Sequence, residues 1–159
     1  TKEGISNKYA EGIFVGYRWF QKQNIPVQYP FGFGLSYSDF EYSNLEVEPA
    51  SWPVKVTIRV KNTGSVTASE TAQLYVGEET PVVERPLQEL KGFQKISLTP
   101  GESKVLIFQL DESAFAFYDV AQKKWKVEGG NYIIRVGGSS SGPSERKVIS
   151  LKGSYLNPE

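Results

Sequence analysis

Residues 54–61 alternate apolar and polar side chains without a break: Val54, Val56, Ile58 and Val60 against Lys55, Thr57, Arg59 and Lys61. A period of two puts one set on a buried face and the other in water, so it predicts a half-buried β-strand. Ala72, Leu74 and Val76 alternate in the same way with Thr71, Gln73 and Tyr75. Shorter strand patterns cover 40–47, 93–98, 105–110, 132–136 and 148–151. Turn residues separate them at Asn62-Thr63-Gly64, Thr99-Pro100-Gly101-Glu102 and Gly129-Gly130. About seven short strands spaced by turns predict an all-β, immunoglobulin-like sandwich over residues 38–159, in preference to a barrel.

The first 37 residues follow neither period. Tyr9, Phe14, Tyr17, Trp19, Phe20, Tyr29, Phe31, Phe33 and Tyr37 crowd a stretch that Pro26, Pro30, Gly32 and Gly34 interrupt. This pattern predicts an irregular arm over residues 1–37, with one short helical turn near 13–21. A segment so apolar is expected to lie against protein surface rather than in water.

The composition narrows the chemistry. Lys plus Arg and Asp plus Glu are 18 each among 159 residues. A net charge of zero argues against a nucleic-acid or anionic-membrane partner, since both are met by basic surfaces. The chain lacks Cys, which removes disulfides and thiolate metal sites. It lacks His, which removes the usual general base and the commonest metal ligand. It also lacks Met and begins at Thr1, which reads as a processed or excised piece of a longer polypeptide. No cofactor is expected, because Gly32, Gly34, Gly137 and Gly138 form no phosphate-binding motif.

Three constellations invite a chemical reading. Acidic residues are numerous enough to supply the carboxylate pair of a glycosidase, but on a β domain they read as its solvated face. Glu78, Glu79 and Glu84 share one loop and offer oxygen ligands for Ca²⁺. Arg85 in their midst, and the absence of EF-hand spacing, favour a surface contact loop instead, so no metal is expected. Trp52 and Trp125 are the aromatics of the sandwich that could stack on sugar rings. Trp125 alternates with Val127 and reads as core or core-edge packing, and Trp52 before Pro53 can be either.

The loop from Glu78 to Pro86 exceeds an ordinary hairpin connection. Two prolines stiffen it, and Val82 and Val83 place apolar side chains where a free loop would be polar. Arg85 adds a planar fork. These features predict a preshaped contact loop.

Several motifs carry a family resemblance. The arm reads Tyr9-Ala10-Glu11-Gly12-Ile13-Phe14-Val15-Gly16-Tyr17-Arg18-Trp19-Phe20, then Tyr29-Pro30-Phe31-Gly32-Phe33-Gly34-Leu35-Ser36-Tyr37-Ser38-Asp39-Phe40. Both resemble the stretch that leaves the second domain of family 3 glycoside hydrolases, mostly β-glucosidases and β-xylosidases. Arg85-Pro86-Leu87-Gln88-Glu89-Leu90-Lys91-Gly92-Phe93 resembles the signature of that family's fibronectin type III-like C-terminal domain. Pro100-Gly101-Glu102-Ser103, the segment from Trp125 to Tyr132, and Val136-Gly137-Gly138-Ser139-Ser140 match it in the same order. The resemblance implies a linker arm over 1–37 and a fibronectin type III-like sandwich over 38–159. It places the nucleophile and the acid/base upstream, so none is carried onto Asp39 or Glu11. It implies that the catalytic domains of the same polypeptide are the partner, with Tyr17, Arg18, Trp19, Phe31, Phe33, Val82, Val83 and Arg85 in the interdomain contact. Polysaccharide is the alternative partner. The resemblance also favours a periplasmic or secreted parent over a cytoplasmic one.

Overall fold

The computed structural model describes residues 10–156; Tyr9, the first residue of the arm motif, lies outside them. The described chain is a sandwich of two antiparallel sheets. One sheet holds β1 (Phe40–Glu48), β2 (Val54–Asn62) and β5 (Ser103–Leu110) in the order β1-β2-β5. The other holds β3 (Ala68–Glu78), β4 (Glu89–Leu98), β8 (Gly130–Gly137) and β9 (Ser144–Leu151) in the order β4-β3-β8-β9. These seven strands are the ones the alternation predicts. A further small sheet, β10-β7-β6, pairs β6 (Phe117–Asp119), β7 (Lys124–Val127) and β10 (Ser154–Tyr155).

The alternating residues of β2 carry the core. Val54, Val56, Ile58 and Val60 are all buried, as are Leu106, Phe108 and Leu110 of the adjacent β5. They share one hydrophobic cluster with Ala72, Leu74 and Val76 of β3 and with Tyr132, Ile134 and Val136 of β8. Strand β1 keeps its greasy side inward by breaking its own period. Its register against β2 shifts between Ser43 and Glu46, and Asn44 takes a left-handed φ of 57°. The extra residue switches the core-facing set from Phe40 and Tyr42 to Leu45 and Val47, all of which pack on the cluster.

At the turn after β2, Asn62 is fully buried and fully bonded. Its Oδ1 accepts from Ser38 Oγ at 2.6 Å and from Gly64 N at 3.0 Å. Its Nδ2 donates to Val66 O at 2.8 Å and Leu98 O at 2.9 Å. One amide thus ties β2 to the β3 entry, to the end of β4 and to the arm's junction with β1.

Candidate functional site: the arm interface and the end groove

Strand β3 departs from the one-face-wet expectation. Residues 72–77 are buried without interruption, so Gln73 and Tyr75 are covered as thoroughly as Ala72 and Leu74. The arm is the cover. Its helix α1 (Tyr17–Lys22) and the following 30–33 turn lie across the outer face of the four-stranded sheet. The Tyr17 ring stacks on Phe31 at 4.7 Å between centroids and meets Tyr75 edge-on at 6.1 Å. The Tyr17 hydroxyl accepts the Leu90 backbone N–H at 2.9 Å. Gln73 Nε2 donates to Gly32 O at 3.1 Å and Gly138 O at 2.6 Å, and its Oε1 accepts from the Tyr75 hydroxyl at 2.5 Å. Ser140 N donates to Phe31 O at 2.8 Å. Burial, chiefly, pushes the Tyr75 phenol up to about 12.

Gly32 makes this closure possible. Its φ is +80°, and an added Cβ would overlap the Gln73 carboxamide. A residue with a side chain would be strained and would also displace the buried amide. Of the residues expected at a contact with another domain, Tyr17 meets Tyr75 and Leu90 of the sandwich, while Phe31, its ring 47% exposed, stacks on Tyr17 and reaches the sandwich through its carbonyl. Arg18 joins them there by bonding Glu89 at 3.2 Å. Trp19 is half-buried on α1, and Phe33 leans on Tyr29 at 5.5 Å with its ring half exposed. The arm has two faces, however. Tyr29, Leu35 and Tyr37 point away from the sheet, the last two 92% and 99% exposed.

The 78–86 loop also differs from expectation. Arg85 is not a free fork on the surface. Its guanidinium, 10% exposed, pairs with Glu78 at 2.9 Å, and that carboxylate is 2% exposed. Arg85 Nη2 donates to Phe115 O at 3.1 Å. The buried Glu128 carboxylate lies nearby and accepts from Val82 N at 3.3 Å. Burial is the main cause holding the Glu78 carboxyl above the usual carboxylate range; Arg85 pulls against it and Glu128 adds to it. The three loop carboxylates considered as Ca²⁺ ligands have separate partners, Glu79 on Asn131 and Glu84 on Lys22. Among the described residues no cluster of acidic ligands could hold a metal ion. Val82 and Val83 do remain at the surface.

Their side chains line a groove of about 1080 Å³ between this loop, Ile13 of the arm and the small β10-β7-β6 sheet. Trp125 stands on its rim. Its ring is 53% exposed and meets Tyr118 edge-on at 5.6 Å, the two residues being cross-strand partners. Of the two expectations for Trp125, core and core-edge packing, the first fails. Val127 is fully buried at the inner end of β7, but two residues earlier the strand has run past the end of the core. Trp52 lies against Phe115 at 5.4 Å, partly covered.

Comparison with known proteins places this geometry. A family model described as the fibronectin type III-like domain matches residues 70–140. Thermostable beta-glucosidase B of Acetivibrio thermocellus is 44% identical over 137 residues, which are 84% of this chain and 18% of that protein. An exo-alpha-(1->6)-L-arabinopyranosidase of Bifidobacterium breve is 43% identical over 91% of this chain and 19% of its own length. Among solved structures, the GH3 beta-glucosidase of Bifidobacterium adolescentis superposes with a TM-score of 0.87 at 44% identity, covering 91% of this chain and 22% of that one. Beta-glucosidase 3B of Thermotoga neapolitana gives 0.88 at 35% identity, over 94% and 21%. This chain spans about a fifth of the length of the relatives it matches. The chain belongs with the fibronectin type III-like domains of family 3 β-glucosidases, the family model covering residues 70–140 of its sandwich.

Proposed function

We propose that this chain is a non-catalytic accessory domain of a family 3 glycoside hydrolase, whose catalytic residues lie elsewhere in the parent, and that it acts by docking on the catalytic domains. The observation that carries this reading is the two-faced arm. One face is fastened to the sheet through Tyr17, Phe31 and the Gln73 amide, which makes the arm rigid. The other face exposes Tyr29, Phe33, Leu35 and Tyr37, an apolar strip along the chain that water does not favour, with Tyr29 and Phe33 in contact. A rigid strip loses little conformational freedom when it docks, so its apolar area, worth about 25 cal/mol per Å², is retained as interdomain attachment.

Arg85 takes no part in this docking, because its guanidinium is committed to Glu78. In the full-length parent, Leu35→Ser with Tyr37→Ser should lower the melting temperature and loosen the domains in small-angle scattering. In the isolated chain the same pair should leave the melting temperature unchanged, since both side chains are free there. Equal effects in both would show that the strip serves the domain itself. The isolated chain should not turn over aryl β-glucosides or β-xylosides. Turnover abolished by one carboxylate substitution in this chain would overturn the non-catalytic assignment.

A further inference from the structure

The end groove has chemistry that docking by the arm does not use. Trp125 and Tyr118 give it two half-exposed aromatic rings held edge to face at 73° on adjacent strands. Its charged lining is balanced, four cations against four carboxylates. Five of the eight are also paired with one another. Glu89 sits between Arg18 at 3.2 Å and Lys91 at 3.4 Å, and Lys126 faces Glu128 at 3.7 Å. A groove neutralised in this way exerts little net field on a charged ligand, yet it is dense in donors and acceptors. Asp119 accepts the Ala121 and Gln122 amides on Oδ1, and its second oxygen accepts no hydrogen bond among the described residues.

An aromatic face beside paired polar groups suits a ligand that is uncharged, has an apolar ring face, and carries hydroxyls able both to donate and to accept. That ligand class is a neutral oligosaccharide. The volume of about 1080 Å³ is at the upper end of sites that hold drug-sized molecules, which favours more than one sugar ring. We infer that the Trp125–Tyr118 groove is a secondary binding site for a neutral oligosaccharide, with a pyranose ring stacked on Trp125 and its hydroxyls bonded to Asp119 and to the Lys126–Glu128 pair. The inference is independent of how the arm docks; the glycosidase reading serves only to choose the probe.

Cellotetraose, a neutral β-linked glucose tetramer, should be titrated into the full chain and followed by amide and indole NMR. Saturable shifts are expected at the Trp125 indole N–H and at the amides of residues 118–121. Trp125→Ala should weaken binding by at least about tenfold, equivalent to about 1.4 kcal/mol, with the core amides unmoved. Trp125→Tyr, which keeps an aromatic face, should retain most of it. Tri-galacturonate, of similar size but anionic, should not compete. The inference fails if no shift saturates, if the shifts survive Trp125→Ala, or if the anionic sugar binds as well. It also fails if Trp125 is shielded from acrylamide quenching in the intact parent but open in the isolated chain, because the groove would then be an interdomain contact. That outcome would leave the docking role of the arm standing.

Discussion

Arg85→Ala tests the interior of this domain more sharply than any surface change. In the folded chain the guanidinium is 10% exposed and its partner Glu78 2% exposed, at 2.9 Å. Truncation leaves the Glu78 carboxylate beside Glu128 with no cation, and leaves Phe115 O without its donor. Breaking a buried pair on one side costs about 3–5 kcal/mol, much of it for the uncompensated charge. For a domain of this size each kcal/mol shifts the melting temperature by roughly 2–4 °C, so a fall of roughly 6–20 °C is expected in a thermal melt at neutral pH. The pH dependence supplies a second signature. The Glu78 carboxyl titrates above its unfolded value, so its contribution to stability is fully present below that unfolded value and is lost as pH rises through the folded one. Removing Arg85 raises the folded value further. The deficit should therefore be largest at neutral pH and shrink on acidification, as Glu78 takes up its proton. Replacing both partners, Glu78→Gln with Arg85→Met, should recover part of the loss, because no charge is left stranded. A cost under about 0.5 kcal/mol, the range of ordinary surface sites, would refute the buried pair and restore Arg85 to the surface.

Two other substitutions probe the arm and its junction with β1. Gly32→Ala forces a Cβ into the Gln73 carboxamide at φ +80° and should cost about 1–3 kcal/mol; hydrogen exchange should show residues 14–33 losing protection ahead of the strands. Asn62→Asp removes both donors to Val66 O and Leu98 O and buries a charge, so chemical denaturation should show a loss of at least about 2 kcal/mol.

The sandwich was legible in the sequence because each strand has one face on a common core, and alternation reports that directly. The β2 run from Val54 to Val60 is the clearest instance. Alternation says nothing about what covers the second face. Gln73 and Tyr75 read as wet because they are polar, and only the arm's position shows that their polar atoms bond to each other and to Gly32 and Gly138. Nor does alternation show how far along a strand the core extends. Trp125 and Val127 share a parity and differ completely in exposure. Arg85 was misread for a related reason. A guanidinium in a Pro-flanked loop looks solvated until its partner is known, and that partner, Glu78, lies at the end of a strand whose last residues turn inward. The Glu78–Arg85 spacing of seven residues carries no signal in a loop.

The segment 85–93, which resembles the signature of the family's fibronectin type III-like domain, is best understood as a fastening. Arg85 bonds Glu78 and the Phe115 carbonyl; Pro86 is buried. The Leu87 carbonyl lies so close to Gly77 that a Cβ there would overlap it. Gln88 Nε2 donates to Ser140 O at 2.7 Å, and its Oε1 accepts from Arg135 at 3.4 Å. Glu89 takes Arg18 of the arm, and Leu90 N gives its hydrogen to Tyr17. Gly92 lets Phe108 of the opposite sheet approach the β4 backbone to within 3.2 Å of where a Cβ would stand. Almost every residue of the run is thus matched to a different element: the loop, the β8–β9 turn, the arm, then the core. A stretch that must satisfy so many unrelated neighbours at once has little freedom to vary its residues, which gives its resemblance to a signature a structural reason. Two residues of this run, Glu89 and Leu90, also hold the arm, through Arg18 and the Tyr17 hydroxyl, so the segment that resembles the signature fastens the arm as well as the sheet.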